Sequence, residues 1–343
     1  MKIEELLKGV KYVMPAVDQV QLVAENSDLI TFSQDGLRTF DGTLFMFYPI
    51  ETELDCSVKG KPLGDILSRI GGGNVRLSIE EEKNGQFFLK GPGKKLKLPV
   101  IERNMDQFFL DEDLDFQKLP DDFMEGLSLC VYTASKDVTM GVLQGIYVDG
   151  NEMFASDNYR IGNYLMKDSI GAKFIIGRNH VEVLLKIGNF TEFSLDKSWI
   201  HFRGQNGERV GCRLIEGEYK FEQLRKIMDV KEKGQYEFPD NLGDLIHRAG
   251  VFSLQDSSQM WYVKLYREKD QLVVEGISED GEYEERLAWD SDFPDDISLE
   301  MDPNFVLKLL GITKSFVLSD DGKFAVFTKG NEFRHLEMIL RDK

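Results

Sequence analysis

Residues 178–188 read RNHVEVLLKIG, and this stretch decides the fold because counterparts recur at residues 61–71, KPLGDILSRIG, and 302–311, DPNFVLKLLG. In each copy, apolar residues occupy the same three places with i, i+1 and i+4 spacing. That spacing marks one face of a short helix, and the closing glycine is typical of a helix C-terminus. The closing glycines are about 117 and 123 residues apart, so the repeat has the length of one small domain.

Two further patterns repeat with this helix. After it come two runs of alternating apolar residues, and glycine turns such as Asp321-Gly322 between them predict β-hairpins. The paired runs are residues 75–79 with 87–91, 193–195 with 199–204, and 316–319 with 324–330. Before it, each copy opens with a second helix pattern, with apolar stripes at Ile3, Leu6, Leu7 and Val10, at Phe123, Leu127 and Val131, and at Leu242, Leu245, Ile246 and Ala249.

We therefore predict an α+β chain of three tandem repeats, each strand-rich with two short helices. The predicted boundaries are residues 1–115, 116–232 and 233–343. Strands at the edges of similar modules can pair with the next module, so such modules chain head to tail. A contact of this kind closes into a ring when the rotation per unit permits, and otherwise grows a filament.

Composition limits the classes of function. The 343 residues carry a formal net charge of −18, which alone argues against binding to nucleic acid phosphates. The apolar runs are too short for a membrane span, and the acidic start, Met1 to Glu5, is unlike a signal peptide. We expect a cytoplasmic protein with no membrane partner. Cys56, Cys130 and Cys212 are expected to be buried thiols in a reducing compartment.

The sequence contains no recognisable catalytic motif. Gly91-Pro92-Gly93-Lys94 fits a tight turn, and no phosphate-binding loop of the GxxxxGK[ST] type is present. The four histidines lack the spacing of a zinc site. The acidic residues 290–296 lack the glycine and terminal glutamate of a calcium loop. We predict a protein that is not an enzyme and has neither a cofactor nor a metal.

Four short motifs then occur in an informative order. They are residues 154–161 (FASDNYRI), 212–219 (CRLIEGEY), 96–100 (LKLPV) and the C-terminal 338–341 (MILR). With the threefold repeat beneath them, they resemble the bacterial DNA sliding clamp family, the beta subunit of the replicative DNA polymerase, over essentially the whole length. Ile339, Glu218 and Lys220 depart from the family pattern, and Asp342 and Lys343 extend its tail. We interpret these departures as those of a diverged member, such as one encoded by a bacteriophage.

The resemblance implies that each repeat packs two helices on antiparallel sheets. It also implies a head-to-tail homodimeric ring of six modules in which the helices line the hole and the sheets face outwards. It would encircle double-stranded DNA topologically and without sequence preference. A basic inner face in an acidic shell would accept DNA in the hole and repel it outside. Not every helix fits, because Asp122 and Glu125 lie on the front helix of the second repeat. The predicted DNA-contacting cations are Lys8, Lys11, Lys61, Arg69, Arg178, Lys186, Arg248 and Lys308.

The resemblance also implies a peptide pocket for the replicative polymerase and the ATP-driven clamp loader, between the second and third repeats. Its expected walls are Ser156, Asn158, Tyr159, Arg160, Ile161, Phe305, Met338, Ile339, Leu340 and Arg341. Met338 and Leu340 could instead simply finish the last strand. The expected dimer contact sets Leu96 and Leu98 against Val251 and Phe252.

The alternative is a β-rich adaptor that binds only protein partners. Lysine and arginine on the predicted helices favour the DNA clamp, and retention on closed circular DNA would separate the two.

Overall fold

The structure is a computed structural model that describes residues 1–18, 26–80, 85–102, 114–255 and 261–341. The elements of residues 1–119 are α1 (Ile3–Val13), β1 (Leu29–Ser33), β2 (Gly36–Phe40), β3 (Leu44–Pro49), β4 (Cys56–Lys59), α2 (Gly60–Leu67), β5 (Arg76–Glu80), β6 (Gln86–Gly91), β7 (Lys94–Pro99) and β8 (Gln117–Lys118). Those of residues 120–214 are α3 (Phe123–Cys130), β9 (Gly145–Asp149), β10 (Glu152–Ser156), β11 (Arg160–Leu165), β12 (Lys173–Gly177), α4 (Arg178–Ile187), β13 (Phe190–Leu195), β14 (Trp199–Gly204) and β15 (Arg209–Arg213).

The remaining elements complete the chain. They are α5 (Phe221–Met228), β16 (Glu232–Glu237), α6 (Leu242–Ala249), β17 (Leu254–Gln255), β18 (Trp261–Glu268), β19 (Gln271–Ser278), β20 (Gly281–Ala288), β21 (Ile297–Met301), α7 (Pro303–Leu310), β22 (Ser315–Ser319), β23 (Phe324–Lys329) and β24 (Phe333–Arg341). The predicted α+β class is therefore confirmed, and every paired strand runs antiparallel to its neighbour.

The chain divides into two compact units. The first comprises residues 1–119 and 182–214, and the second comprises residues 120–181 and 215–343. The first unit holds an eight-stranded sheet in the order β4-β1-β2-β3-β15-β14-β13-β8 and a small β5-β6-β7 sheet. The second holds one sheet with the path β12-β9-β10-β11-β24-β21-β18-β19-β20, from which β16, β17, β22 and β23 branch. The division into three repeats remains a prediction.

The predicted helices and hairpins form where the periodicity placed them. α4 ends at Ile187, and Gly188 follows with φ +64°, the left-handed conformation that glycine adopts readily. α7 also precedes a glycine, but Gly311 keeps a right-handed conformation with φ −74°. α7 begins instead with a side-chain cap, in which the Asp302 carboxylate accepts hydrogen bonds from the backbone of Asn304 and Phe305.

Apolar side chains on the helices pack on the sheets inside each unit. In the first unit, Leu6 and Val10 of α1 and Leu63 of α2 are fully buried, and α1 contacts α2, β2 and β3. Thr39 fixes this contact, because its Oγ1 donates to the Val13 carbonyl at 2.8 Å. In the second unit α6 packs on α7, β19 and β20. All three cysteines are buried free thiols, and burial raises the pKa of Cys56 to about 12.

The described residues contain neither a membrane-spanning helix nor a cluster of metal-binding side chains. No helix there has the length and apolar character needed to cross a membrane. Within the same ranges, no three or more His, Cys, Asp or Glu side chains are grouped so that they could hold a metal ion.

Candidate functional site

The predicted pocket segments meet in the second unit, where β11 pairs with β24. Ile161 lies opposite Leu336, and Arg160 lies opposite Glu337. Because side chains alternate along a strand, these two pairs occupy opposite faces of the sheet. The pocket segments therefore contribute to two different environments.

One face carries an apolar cluster that spans seven strands. Its buried members are Tyr147, Phe154, Ile161, Ile175, Tyr219, Met228, Val326 and Leu336. Further apolar side chains pack against them while remaining partly open to solvent: Val142, Leu143, Ile215, Phe221, Leu224, Val230, Val317 and Phe324. We call this set the apolar cluster. A surface of this kind suits an apolar ligand.

Aromatic contacts attach α5 and the loop before it to the apolar cluster. The rings of Tyr147 and Tyr219 stack with centroids 5.2 Å apart, and Phe221 lies 5.0 Å from Tyr147 and 5.6 Å from Phe154. The loop approaches closely at Gly217, where a Cβ atom would meet Val142 at 2.5 Å. α5 and its aromatic anchors thus form one side of the cluster.

Tyr159 and Met338 form an exposed rim beside the cluster. Their side chains are 53% and 37% exposed, and the Met338 N–H donates to the Tyr159 carbonyl at 3.1 Å. Met338 also lies opposite Phe324, a member of the cluster, in the pairing of β23 with β24. Asn158 belongs to the same rim, because its amide contacts the Met140 sulfur at 3.9 Å. Met, Tyr and Asn side chains of this kind can adapt to varied peptides.

The opposite face holds a buried polar network. The Asp157 carboxylate accepts from the Arg160 backbone N–H, Nε and guanidinium, the last at 2.5 Å. His335 and Glu337 form a second buried pair, 2.8 Å apart. Burial raises the pKa of Glu337 and lowers that of His335, so both side chains tend to be neutral. This network stabilises the pairing of β11 with β24 on the sheet face opposite the rim.

Several predicted pocket residues therefore lie elsewhere. Phe305 is fully buried, with its ring 5.1 Å from Tyr132 and 4.5 Å from His335, so it belongs to the core under α7. Arg160 is buried in the polar network, and Ile339 is buried on the same strand face as Glu337. Ser156 is buried beside the rim, where its hydroxyl accepts from the Asn158 N–H. The backbone of Leu340 and Arg341 continues β24 opposite β21.

The aromatic side of the site was not predicted from the sequence. Tyr147, Phe221, Leu224 and Phe324 were not predicted to contribute. The available signal was the spacing of Phe221, Leu224 and Met228, which marks one face of a short helix just before the predicted boundary at residue 232.

Most of the predicted DNA-contacting cations are exposed. Lys8 and Lys11 lie on the exposed side of α1, Lys61 and Arg69 lie in and just after α2, and Lys186 and Lys308 lie on α4 and α7. Arg248 is exposed on α6, where its guanidinium makes two hydrogen bonds to Glu285 at 2.7 and 2.8 Å.

Arg178 differs from this expectation. It is buried, and its guanidinium donates to the carbonyls of Val131 and Ala134 at 2.8 and 2.5 Å. These bonds satisfy carbonyls at the end of the α3 segment, so Arg178 holds α4 against that segment. We therefore leave it out of the DNA-facing set.

The predicted dimer-contact residues lie on β7 and in a single 3₁₀ turn, Gly250–Phe252, that follows α6. Leu96 and Leu98 are half-buried on β7, which pairs with β6. Val251 is 71% exposed, and Phe252 lies against the start of β20, where a Cβ atom on Gly281 would meet its ring at 3.2 Å.

The fold matches solved sliding clamps over the full length of the chain. A DnaN sliding clamp, DNA polymerase III subunit beta, from Bartonella birtlesii bound to griselimycin superposes with a TM-score of 0.75 at 18% identity, covering 100% of both chains. The DNA polymerase III beta chain from Streptococcus pneumoniae gives 0.73 at 14% identity, covering 99% of this chain and 98% of that one.

A third structure is the C. crescentus beta sliding clamp, with polyethylene glycol bound at a proposed beta-motif tethering region. It gives 0.72 at 13% identity, covering 100% of this chain and 98% of that one. No protein-family model and no curated protein matches the sequence. The chain has the sliding clamp fold.

Proposed function

We propose that the chain is a DNA sliding clamp, a non-catalytic processivity factor that closes as a head-to-tail homodimer around duplex DNA and tethers a replicative polymerase. The observation that carries this proposal is a strand-pairing rule within the chain. Each proposed repeat has a run of three paired strands, β1–β3, β9–β11 or β18–β20. The third strand of the run pairs with the last strand of the next repeat, as β3 does with β15 and β11 with β24. The rule is directional, as a head-to-tail ring requires.

The same rule leaves one strand of each type over. Among the described residues, β20 pairs only with β19, although it is the third strand of its run in the last repeat. In the same ranges β7, the last strand of the first repeat, pairs only with β6. Pairing β20 of one copy with β7 of another would apply the rule a third time. It would also cover two edge strands that otherwise present unpaired backbone groups.

Charge and apolar pattern support this pairing. Lys95 and Lys97 are exposed on one side of β7, while Leu96 and Leu98 lie half-buried on the other. β20 has the complementary pattern, with Glu282 and Glu284 exposed and Tyr283 and Leu287 half-buried. Opposite charges across paired strands and matched apolar side chains both stabilise a sheet. We retain Val251 and Phe252, next to β20, as neighbours of this contact.

The helices supply the surface for DNA. In the proposed ring, Lys8, Lys11, Lys61, Arg69, Lys186 and Lys308 face the phosphates, and Arg248 does so while paired with Glu285. Such contacts position a duplex without specifying its sequence. Changing Lys8, Lys11, Lys61 and Lys308 to Ala should reduce the salt dependence of the weak affinity for linear duplex DNA. A variant with Lys167, Lys197, Lys233 and Lys269 changed to Ala, outside these helices, should behave as wild type. Equal loss in both variants would contradict the proposed surface.

We assign partner binding to the apolar cluster and its rim. A short peptide of the polymerase or the ATP-driven clamp loader would place apolar side chains against Leu143, Phe221, Leu224 and Phe324.

Griselimycin, which is bound to the Bartonella clamp, is a defined probe for calorimetry. We expect it to bind, and Phe324→Asp to abolish binding because a carboxylate would be desolvated in an apolar surface. Unchanged griselimycin affinity in folded, dimeric Phe324→Asp would overturn the assignment.

The proposed function places the protein in the cytoplasm, where it would act without a cofactor. A protein-only adaptor is the competing class, and DNA retention separates the two.

A further inference from the structure

One face of the eight-stranded sheet in the first unit carries a row of cations. Arg38 lies opposite Phe47, Phe47 opposite Arg209, and Arg209 opposite Arg203. Residues directly opposite each other share a face, so these four side chains form one line across β2, β3, β15 and β14. Thr39, next to Arg38, contacts α1. The row therefore lies on the side of the sheet away from that helix.

Aromatic rings hold the guanidinium groups of this row. Phe47 has the Arg38 guanidinium 4.7 Å from its ring centroid and that of Arg209 at 4.4 Å. Arg203 lies 4.0 Å from the ring of Phe116. Planar guanidinium groups stacked on rings are pre-organised for bidentate contacts with phosphate.

A half-buried tryptophan lies beside the row. The Trp199 ring is 6.3 Å from His201, with the two planes stacked, and 5.9 Å from Phe40. Gly211 makes room for the imidazole, because a Cβ atom there would meet His201 Nδ1 at 2.9 Å. Arg213 lies directly opposite Trp199 and is exposed. We call Arg38, Arg203, Arg209, Arg213, Phe47 and Trp199 the arginine face.

The charge of this face is opposite to that of the chain. Along β2, β3, β15, β14, β13 and β8, the described residues on this side include Arg38, Arg203, Arg209, Arg213 and Lys118, while its acids include Glu192 on β13 and Asp196 just after β13. Arg203 pairs with Glu192 at 2.6 Å, and Arg38 pairs with Asp35 in the adjoining turn at 2.7 Å. A net positive surface in a chain of net charge −18 attracts a polyanion locally.

We propose that the arginine face binds single-stranded nucleic acid. The guanidinium groups would contact phosphates, and bases would stack on Trp199 and on the guanidinium planes. A positive track combined with aromatic stacking is the combination that binds single strands without sequence preference, whereas an acidic peptide would use only the charge. Binding to the arginine face would require neither the proposed ring nor its inner helices.

The first test measures anisotropy of a fluorescein-labelled oligothymidine of about 12 nucleotides across a salt series. Each phosphate contact of a single strand contributes about 0.7 to the slope of log affinity against log salt, so Arg209→Ala with Arg213→Ala should lower the slope by about 1.4. The matched control is Lys167→Ala with Lys269→Ala, two exposed lysines outside both the arginine face and the proposed DNA-facing helices, which should leave the slope unchanged. Absence of binding to the oligonucleotide, or equal loss in both variants, would overturn the proposal.

The second test asks whether bases stack. Oligothymidine should quench the tryptophan fluorescence of the wild type. Trp199→Phe, which retains Trp261 and Trp289, should show little quenching and roughly tenfold weaker binding. An abasic oligonucleotide of equal charge should bind more weakly than oligothymidine. Equal affinity for the abasic strand or for polyglutamate would show a surface for acidic segments and contradict the proposal. Unchanged thermal unfolding and dimer mass in each variant would establish that the fold is intact.

Discussion

His201 shows how burial sets the chemistry of one residue. Its side chain is 2% exposed on β14, with Asp196 4.0 Å away, and burial lowers its pKa to about 4. The folded state therefore favours the neutral ring, whereas in the unfolded chain the pKa of His201 is near its ordinary value of 6.5. A histidine with a depressed folded pKa contributes its stability above the unfolded pKa and loses it as the pH falls.

The expected consequence is a loss of stability between pH 6.5 and pH 4. Each pKa unit corresponds to about 1.4 kcal/mol, so the whole shift represents about 3 kcal/mol. His201→Gln, which does not titrate, should have a smaller difference between its free energies of unfolding at pH 7 and pH 4.5. NMR titration of the His201 ring is the direct check, and a ring that titrates near pH 6.5 would contradict this account.

Met338 provides a second test at the scale of one residue. Because its side chain is 37% exposed on the rim, truncation should remove contact with a bound peptide and leave the core intact. We expect Met338→Ala to weaken the affinity for the proposed polymerase peptide by roughly fivefold, equivalent to about 1 kcal/mol of apolar contact. The matched control is Ile277→Ala, 38% exposed on β19. Equal weakening by both variants would count against the rim.

At the scale of elements, the edges of β7 and β20 carry the most specific prediction. Lys95→Glu with Lys97→Glu should break the proposed head-to-tail contact by placing like charges opposite each other. Light scattering should then report the 39.3 kDa chain mass instead of twice that value. Adding Glu282→Lys and Glu284→Lys should restore the dimer.

The controls for this experiment lie on the same sheet. Arg76→Glu with Lys90→Glu reverses the same number of charges on the same face, but on β5 and β6, away from the edge that β7 presents. This control should remain dimeric at moderate salt. A Lys95/Lys97 variant that stays dimeric, or a fourfold variant that does not recover, would mean that the closing contact lies elsewhere.

The elements also show what periodicity can predict. Apolar spacing predicted the helices α2, α4 and α7 and their hairpins, because those patterns are local. The pairing of β11 with β24 joins residues that are far apart in sequence, so no local pattern reports it. Arg178 could not be separated from Lys186 for a similar reason. Both lie on a helix at a basic position, and only the approach of the Val131 and Ala134 carbonyls buries one of them.

The whole molecule combines a strongly acidic total charge with cations on its helices. Glutamates are frequent on β18, β19 and β20, as at Glu268, Glu275, Glu282 and Glu284. In the proposed ring an acidic exterior would reduce non-specific adhesion of DNA, so we expect retention to come from enclosure and not from affinity. The account therefore predicts binding that depends on the topology of the DNA.

The most direct measurement is retention on nicked circular DNA before and after the circle is cut. The dimer would be mixed with the circle at low salt and closed by carbodiimide coupling of lysine to glutamate at the β7–β20 contact. It would then be washed at high salt, where phosphate contacts are screened. The account predicts that the closed dimer stays on the circle and is released when a restriction enzyme linearises it. Loss during the wash, or equal retention on circular and linear DNA, would contradict the proposal that this chain encircles DNA.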